Sequence, residues 1–264
     1  MNKDKILSLI SLLDDENENT ASFALKELIN GGKKTMEVLS EFQESPQPLI
    51  RKRVHQIQAI HQIKKARDIL SRRLENKHSG LWNGLMEIHL AWFDRDTKEN
   101  INLIFCELLE EFLILDELSA ESVASFMKMT GFVLGLKGNI DPEYYCLGSV
   151  LESKIGNDSL LSAIAYKLLI ERGIKAKLIR YQNTICLLMD NKIIIPDDWI
   201  TLSQEQPSFD ILTPGQVLKY TILQLLLSTV STDNYRYTYT IGKCLKRKSS
   251  FLNTSANKNE EDIQ

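Results

Sequence analysis

Residues 141–198 read DPEYYCLGSVLESKIGNDSLLSAIAYKLLIERGIKAKLIRYQNTICLLMDNKIIIPDD. The stretch predicts a short helix, a glycine turn, a long apolar helix and then strands that end in acidic residues. Gly156-Asn157 breaks the chain, and Asn157 or Asp158 can cap the next helix by accepting backbone N–H bonds. Leu160, Leu161, Ile164, Ala165, Leu168 and Leu169 recur at helical spacing, so one face of that helix is buried. Glu171-Arg172-Gly173 ends it, with Gly173 suited to a left-handed C-terminal position. Residues 174–180 alternate, Thr184 to Met189 is almost wholly apolar like a central strand, and Asp190-Asn191 fits a two-residue hairpin turn before a returning strand at Lys192 to Ile195. Pro196, which lacks the N–H for a ladder bond, closes it.

Outside this stretch the bounds are broad. A chain of 264 residues can bury a sizeable core and hold one large domain or two small ones. Its net charge of -3 gives no bulk attraction to nucleic acid or anionic lipid. Cys106, Cys146, Cys186 and Cys244 are widely spaced without a CxxC pair, which points to structural thiols in a reducing cytoplasm. His55, His61, His78 and His89 form no HExxH or Cys/His cluster, so neither a metal nor any other cofactor is expected. No run is long enough to span a bilayer. The first residues loosely imitate a signal peptide, but Asp14-Asp15-Glu16 follows a short apolar run at once, and an amphipathic helix is the reading adopted.

Residues 1–77 read as a helical module of four helices, with Phe23, Leu25 and Leu28 inward on the second. The fourth runs from Leu49 to Leu74, marked by Ile50, Val54, Ile57, Ile63, Leu70 and Leu74. Between Arg51 and Lys77 it holds nine Lys/Arg against two Asp/Glu. No aromatic residue is interleaved for base stacking, so a solvated face is preferred over a nucleic-acid patch. Residues 79–139 predict three more helices. The first carries Trp82, Leu85, Ile88, His89, Trp92 and Phe93 on a buried face, with His89 a packed histidine. The third is capped by Ser119 and runs to about Leu134. Pro214 opens a strongly apolar helix. Residues 235–241 alternate like a strand but also fit a helix, and a helix is chosen for 235–245. The polar tail from about Lys246 is expected to be disordered.

The order GLKGN, DPEYYCLGSVLESKIGN and ERGI, with strands following, resembles the bacterial SirB-type branch of the transglutaminase-like fold. The first two helical hairpins resemble a HEAT-like repeat pair. The resemblance implies an α+β, mostly helical chain: a HEAT-like module at 1–77, a transglutaminase-like (papain-like) core with a small antiparallel sheet at 78–212, a TPR-like helical segment at 213–246, and a tail at 247–264. Transglutaminase-like enzymes set a Cys at the N-terminus of the central helix, where the helix dipole stabilises a thiolate, and a His and an Asp on following strands. Counted back from Gly173-Ile174, those positions hold Asp158, Thr184 and Asp197. SirB-type members lack the Cys but commonly keep a Pro-Gly-His segment; here Gln182-Asn183-Thr184 stands in its place, and no histidine follows His89.

The expectation is therefore a transglutaminase-like pseudoenzyme without catalytic residues, with Asp158, Thr184 and Asp197 as vestigial triad positions converging on one side of the core and Asn157, Ser159, Asn183 and Asp198 as site neighbours. The expected role is protein interaction or regulation in the cytoplasm, with another protein or a peptide as partner. Nucleic acid and membrane are not expected partners, and the oligomeric state is left open. The competing reading is a transglutaminase-like hydrolase or transferase whose active site lies elsewhere. Cys146 and Cys186 lack a sequence-evident base and are read as structural. An Asp158–Asp197 carboxylate pair is the other chemistry such a core could hold.

Overall fold

Amphipathic helices dominate the computed structural model, which describes residues 1–76, 80–93, 95–136, 141–203, 208–233 and 235–245. The chain divides into two compact units, Met1–Ala66 and Arg67–Gln264.

The first unit contains α1 (Lys3–Ser11), a 3-10 turn at Leu12–Asp14, α2 (Glu18–Asn30), α3 (Lys33–Ser40) and most of α4 (Pro48–Glu75). Its core joins Ile6, Leu9, Ile10 and Leu13 to Leu28, Leu39, Val54 and Ile57. On α2 the buried stripe is Ala21, Ala24 and Leu28, while Phe23, expected inward, is 59% exposed. Small residues at this spacing let α1 approach closely, and the phenyl ring falls on the opposite face. Part of the basic charge of α4 is used within the unit. Arg51 donates to the Ser45 carbonyl, Arg53 to that of Leu13, and Lys64 to Asn30 Oδ1.

The unit boundary falls inside α4 rather than at its end near residue 77. Ile50, Val54 and Ile57 pack in the first core, and Leu70 and Leu74 in the second. The turns between carry partly exposed Ile60, Ile63 and Ile69, so Ile63 is not the core residue its spacing predicts.

The second unit adds α5 (Leu81–Trp92), α6 (Lys98–Leu113), α7 (Ala120–Met129), β1 (Val133–Leu134), a 3-10 turn at Pro142–Tyr145, α8 (Leu147–Ser153), β2 (Ile155–Gly156) and α9 (Asp158–Glu171). After these come β3 (Lys177–Tyr181), β4 (Thr184–Met189), β5 (Lys192–Ile195), β6 (Ile200–Ser203), β7 (Asp210–Ile211), α10 (Pro214–Ser231) and α11 (Tyr235–Leu245). Ser119 caps α7 with a capping box. The helix stops at Met129 instead of running to Leu134, because Gly131 takes φ +85° and turns the chain into β1, which pairs in parallel with β2.

The sheet is antiparallel throughout, in the order β6-β5-β4-β3-β7. Asp190 and Asn191 both have positive φ, as do Gln182 and Asn183 between β3 and β4, so each hairpin turns on two left-handed residues. Strand alternation divides the sheet. Leu178, Ile185, Leu187, Met189 and Ile194 join the main core under α9, whereas Ile179, Cys186 and Ile193 form a separate cluster on the other face. The edge strands β6 and β7 are too short and polar to have been read from the sequence. The C-terminal helices are part of this unit rather than a separate segment: Val217, Leu218, Ile222 and Leu225 of α10 and Ile241 and Cys244 of α11 lie in the main core. Residues 235–245 are helical, and the expected tail from residue 246 lies outside the described residues.

Candidate functional site at the start of α9

The N-terminus of α9 meets the first residues of β4 because the helix lies along that strand; Ser162 Oγ donates to the Ile185 carbonyl at 2.8 Å. Asn157 is the N-cap, its Oδ1 accepting from Leu160 N at 3.1 Å. That leaves Asp158, the first helical residue, for another task. Its Oδ1 accepts from Ser159 N at 2.8 Å and its Oδ2 from Ile185 N at 2.7 Å, and the Tyr220 hydroxyl of α10 donates to the same carboxylate. One side chain thus ties α9, β4 and α10 together.

A second polar line runs beneath it. Asn157 Nδ2 donates to Ser159 Oγ (2.7 Å), which lies 2.8 Å from Thr221 Oγ1, and that hydroxyl donates to the Val217 carbonyl (3.0 Å). Since Thr221 gives its proton to the carbonyl, Ser159 must donate to Thr221, and the direction of the whole line is fixed. Both hydroxyls are fully buried and fully partnered.

Burial dominates the electrostatics. It holds the Asp158 carboxyl above its ordinary range, outweighing the N–H and hydroxyl donors that favour the charge. Burial, with the Asp158 charge added, pushes the Tyr220 phenol up to about 12 and raises that of Tyr145, in the 3-10 turn before α8. Arg180 of β3 acts on Tyr220 in the opposite sense. Tyr220 and Tyr145 therefore flank the Asp158 carboxylate as neutral groups.

The other expected positions are arranged differently. β4 begins and β5 ends at one end of the sheet, so Thr184 and Asp197 share that end with the start of α9. The pleat, however, sets Thr184 on the face of Cys186 and Leu188, away from α9. It is the backbone N–H of the next residue, Ile185, that Asp158 reaches. Asn183 is an exposed left-handed turn residue, and Asp197 and Asp198 are exposed in the turn after β5. That turn is pinned from the other side: Trp199 Nε1 donates to the Phe132 carbonyl (2.6 Å) and Lys128 Nζ to the Asp198 carbonyl (3.4 Å). Of the expected set, Asp158, Asn157 and Ser159 form one hydrogen-bonded group, which Tyr220 and Thr221 complete, and Tyr145 feels the Asp158 charge without a hydrogen bond to it. Tyr220-Thr221 is the polar pair that interrupts the apolar run of α10, a signal that was present in the sequence.

The thiols are not placed as nucleophiles. Burial raises the Cys146 thiol well above its ordinary value, Cys186 to about 12 and Cys244 to about 11. Cys106 on α6 is exposed. Titration of the native protein with a disulfide reagent at neutral pH is expected to modify Cys106 alone, the other three following only in denaturant. Rapid native modification of Cys146 or Cys186 would contradict the burial seen here.

Among the described residues of this unit, His89 is the one histidine, and both its ring nitrogens are engaged: Nδ1 with Gly148 N at 3.2 Å and Nε2 with Asp96 Oδ2 at 2.8 Å. No group of three or more His, Cys, Asp or Glu suited to a metal ion occurs among the described residues. Within the same residues no helix is long and apolar enough to cross a membrane. Comparison of the chain with protein-family models, curated proteins and solved structures finds no match.

Proposed function

We propose that this chain is a non-catalytic, SirB-type transglutaminase-like protein that acts in the cytoplasm as an interaction or regulatory module for another protein or a peptide. What carries the reading is Asp158. At the helix end where such an enzyme would hold its nucleophile, the chain has a carboxylate committed to Ser159 N–H, Ile185 N–H and the Tyr220 hydroxyl. A group that closes three structural hydrogen bonds is a poor base or nucleophile, since either role would require it to release them. The buried thiols and the doubly engaged His89 supply no substitute pair. An apolar line on α10 suits the binding role: Leu223, Leu227 and Val230 are 47%, 56% and 56% exposed at a spacing of four and three residues.

The test combines an activity assay on the purified full chain with cross-linking of the full chain in a cell lysate. Incorporation of a fluorescent primary amine into a glutamine peptide, and hydrolysis of that peptide, are both expected to stay at the no-protein rate. Turnover that disappears in Asp158→Asn or Cys186→Ser would overturn the non-catalytic reading in favour of a hydrolase or transferase. Cross-linking from a photoreactive residue placed at position 227 should then capture one protein or peptide reproducibly. The same residue placed at Phe23, on the first unit, is the control.

A further inference from the structure

The contact between α5 and the start of α8 has a chemistry of its own. Cys146, the N-cap of α8, makes no side-chain capping bond. One of the helix's first N–H groups, that of Gly148, is instead accepted by His89 Nδ1 at 3.2 Å, from a different helix. A backbone N–H can only donate, so Nδ1 must carry a lone pair and the proton of the neutral ring sits on Nε2, where it is donated to Asp96 Oδ2 at 2.8 Å. The tautomer is therefore set by the fold. The ring is 1% exposed and lies tilted against Phe93, with ring centroids 5.0 Å apart. It also lies so close to the helix backbone that an added Cβ at Gly148 would come within 2.7 Å of it.

Protonation cannot be absorbed by this arrangement. A proton on Nδ1 would point at the Gly148 N–H, donor against donor, and would put a cation at the positive end of the α8 dipole. Turning the ring over offers no remedy, because it would only set a carbon against the Gly148 N–H. We propose that His89 is an acid-sensitive latch: in its neutral form it caps α8 from outside, and on protonation it lets the first turn of α8 go. The latch does not depend on the proposed binding role, but it lies next to the group around Asp158. The 3-10 turn before α8 holds Tyr145, Cys146 Sγ donates to the Pro142 carbonyl, and Asn157 N donates to the Tyr144 carbonyl, so release of α8 loosens one wall around Asp158.

The charged groups acting on the ring are Asp96, in the turn after α5, and Glu152 of α8. Both favour the cation, yet burial outweighs them and holds the ring below its ordinary value of 6.5. Glu87, two residues earlier on α5, points about 200° around the helix and is engaged by Arg73 and Lys98. A histidine held below its ordinary value stays neutral where the unfolded chain is already protonated. Its contribution to stability is therefore intact above about 6.5 and is lost as the pH falls towards the folded value.

The test uses the full chain labelled with nitrogen-15. Imidazole nitrogen–proton correlation spectra from pH 8 to 5, with His89 assigned by its absence in His89→Gln, should show the Nε2–H tautomer at pH 8 and a midpoint below 6.5. Hydrogen exchange of the peptide covering 146–153, corrected for intrinsic rate, should rise on the order of tenfold one pH unit below that midpoint, while the peptide covering 160–170 stays protected. Asp96→Asn, at a half-exposed position that the fold tolerates, should move both midpoints down together, because it removes a charge that favours the cation. His89→Gln should abolish the pH dependence; if that variant does not fold, Asp96→Asn carries the test. An Nδ1–H tautomer at pH 8 overturns the latch. So does α8 exchange that ignores the His89 midpoint, or that rises only together with residues 160–170.

Discussion

Asp158→Ala is expected to lower the stability of the second unit by about 3 kcal/mol, read as a shift of the urea midpoint at unchanged slope. Loss of a helix cap alone would cost about 1 kcal/mol, and the cap is Asn157 in any case. The larger figure follows from what the truncation leaves behind. Ile185 N–H, Ser159 N–H and the Tyr220 hydroxyl would all lose their acceptor in a buried setting, and each orphaned donor costs its desolvation. Asp158→Asn separates the two explanations. Asparagine caps as well as aspartate, so a capping role would be rescued. It offers only one carbonyl oxygen, however, and its amide would face either Ile185 N–H or Ser159 N–H, so a bridge would not be rescued. The expected cost for Asn is about 2 kcal/mol, and for Tyr220→Phe about 1 kcal/mol. The pH dependence has a sign as well. A carboxyl held above its ordinary range binds its proton more tightly folded than unfolded. The gap between wild type and Asp158→Ala should therefore widen as the pH falls from neutral towards 4 and narrow as it rises. If Ala and Asn both cost 1 kcal/mol or less, Asp158 is a surface residue of α9 and not a bridge.

How far the sequence exposed this site depends on which part of it is local. Helix α9 was legible because its apolar residues repeat and Gly173 ends it. The β4–β5 hairpin was legible because Asp190-Asn191 favours two left-handed residues, as their positive φ values bear out. The short strands β6 and β7 were not, since four and two residues with nearly every side chain exposed carry no period to detect. The N-terminus of α9 was placed correctly, but the assignment of Thr184 as its facing partner failed on the pleat. Position 184 and the helix lie on opposite faces of the sheet, and a one-residue error in counting along a strand exchanges the faces. Tyr220 lies 62 residues beyond Asp158, on a helix whose packing angle no local pattern encodes. His89 was correctly read as a packed residue, but its acceptor role could not be, because the Gly148 N–H it caps belongs to a helix 59 residues away.

Gly148→Ala is expected to destabilise the second unit by about 3 kcal/mol, against the ordinary sign for such a change. In an exposed helical position Gly→Ala stabilises, by roughly 1 kcal/mol, because alanine has less backbone entropy to lose. At Gly148 the new methyl would lie 2.7 Å from His89 Cε1 and 2.9 Å from Nε2. An imidazole is rigid, and this one is held at both nitrogens, so it cannot yield by rotating a flexible end. Either the ring leaves, giving up the Gly148 N–H and Asp96 together, or α8 shifts away from α5 and opens the packing of Leu147, Val150 and Leu151 in the main core. Coupling distinguishes this collision from a general intolerance of α8. His89→Ala alone should cost about 3 kcal/mol, through a cavity and an uncapped Gly148. The double variant His89→Ala/Gly148→Ala removes the ring that the methyl strikes and lets the methyl fill part of the gap. Its cost should fall short of the sum of the single variants by at least about 2 kcal/mol. Additive costs would mean that the two residues do not share a contact, and neither the close packing of α5 on α8 nor the latch would stand.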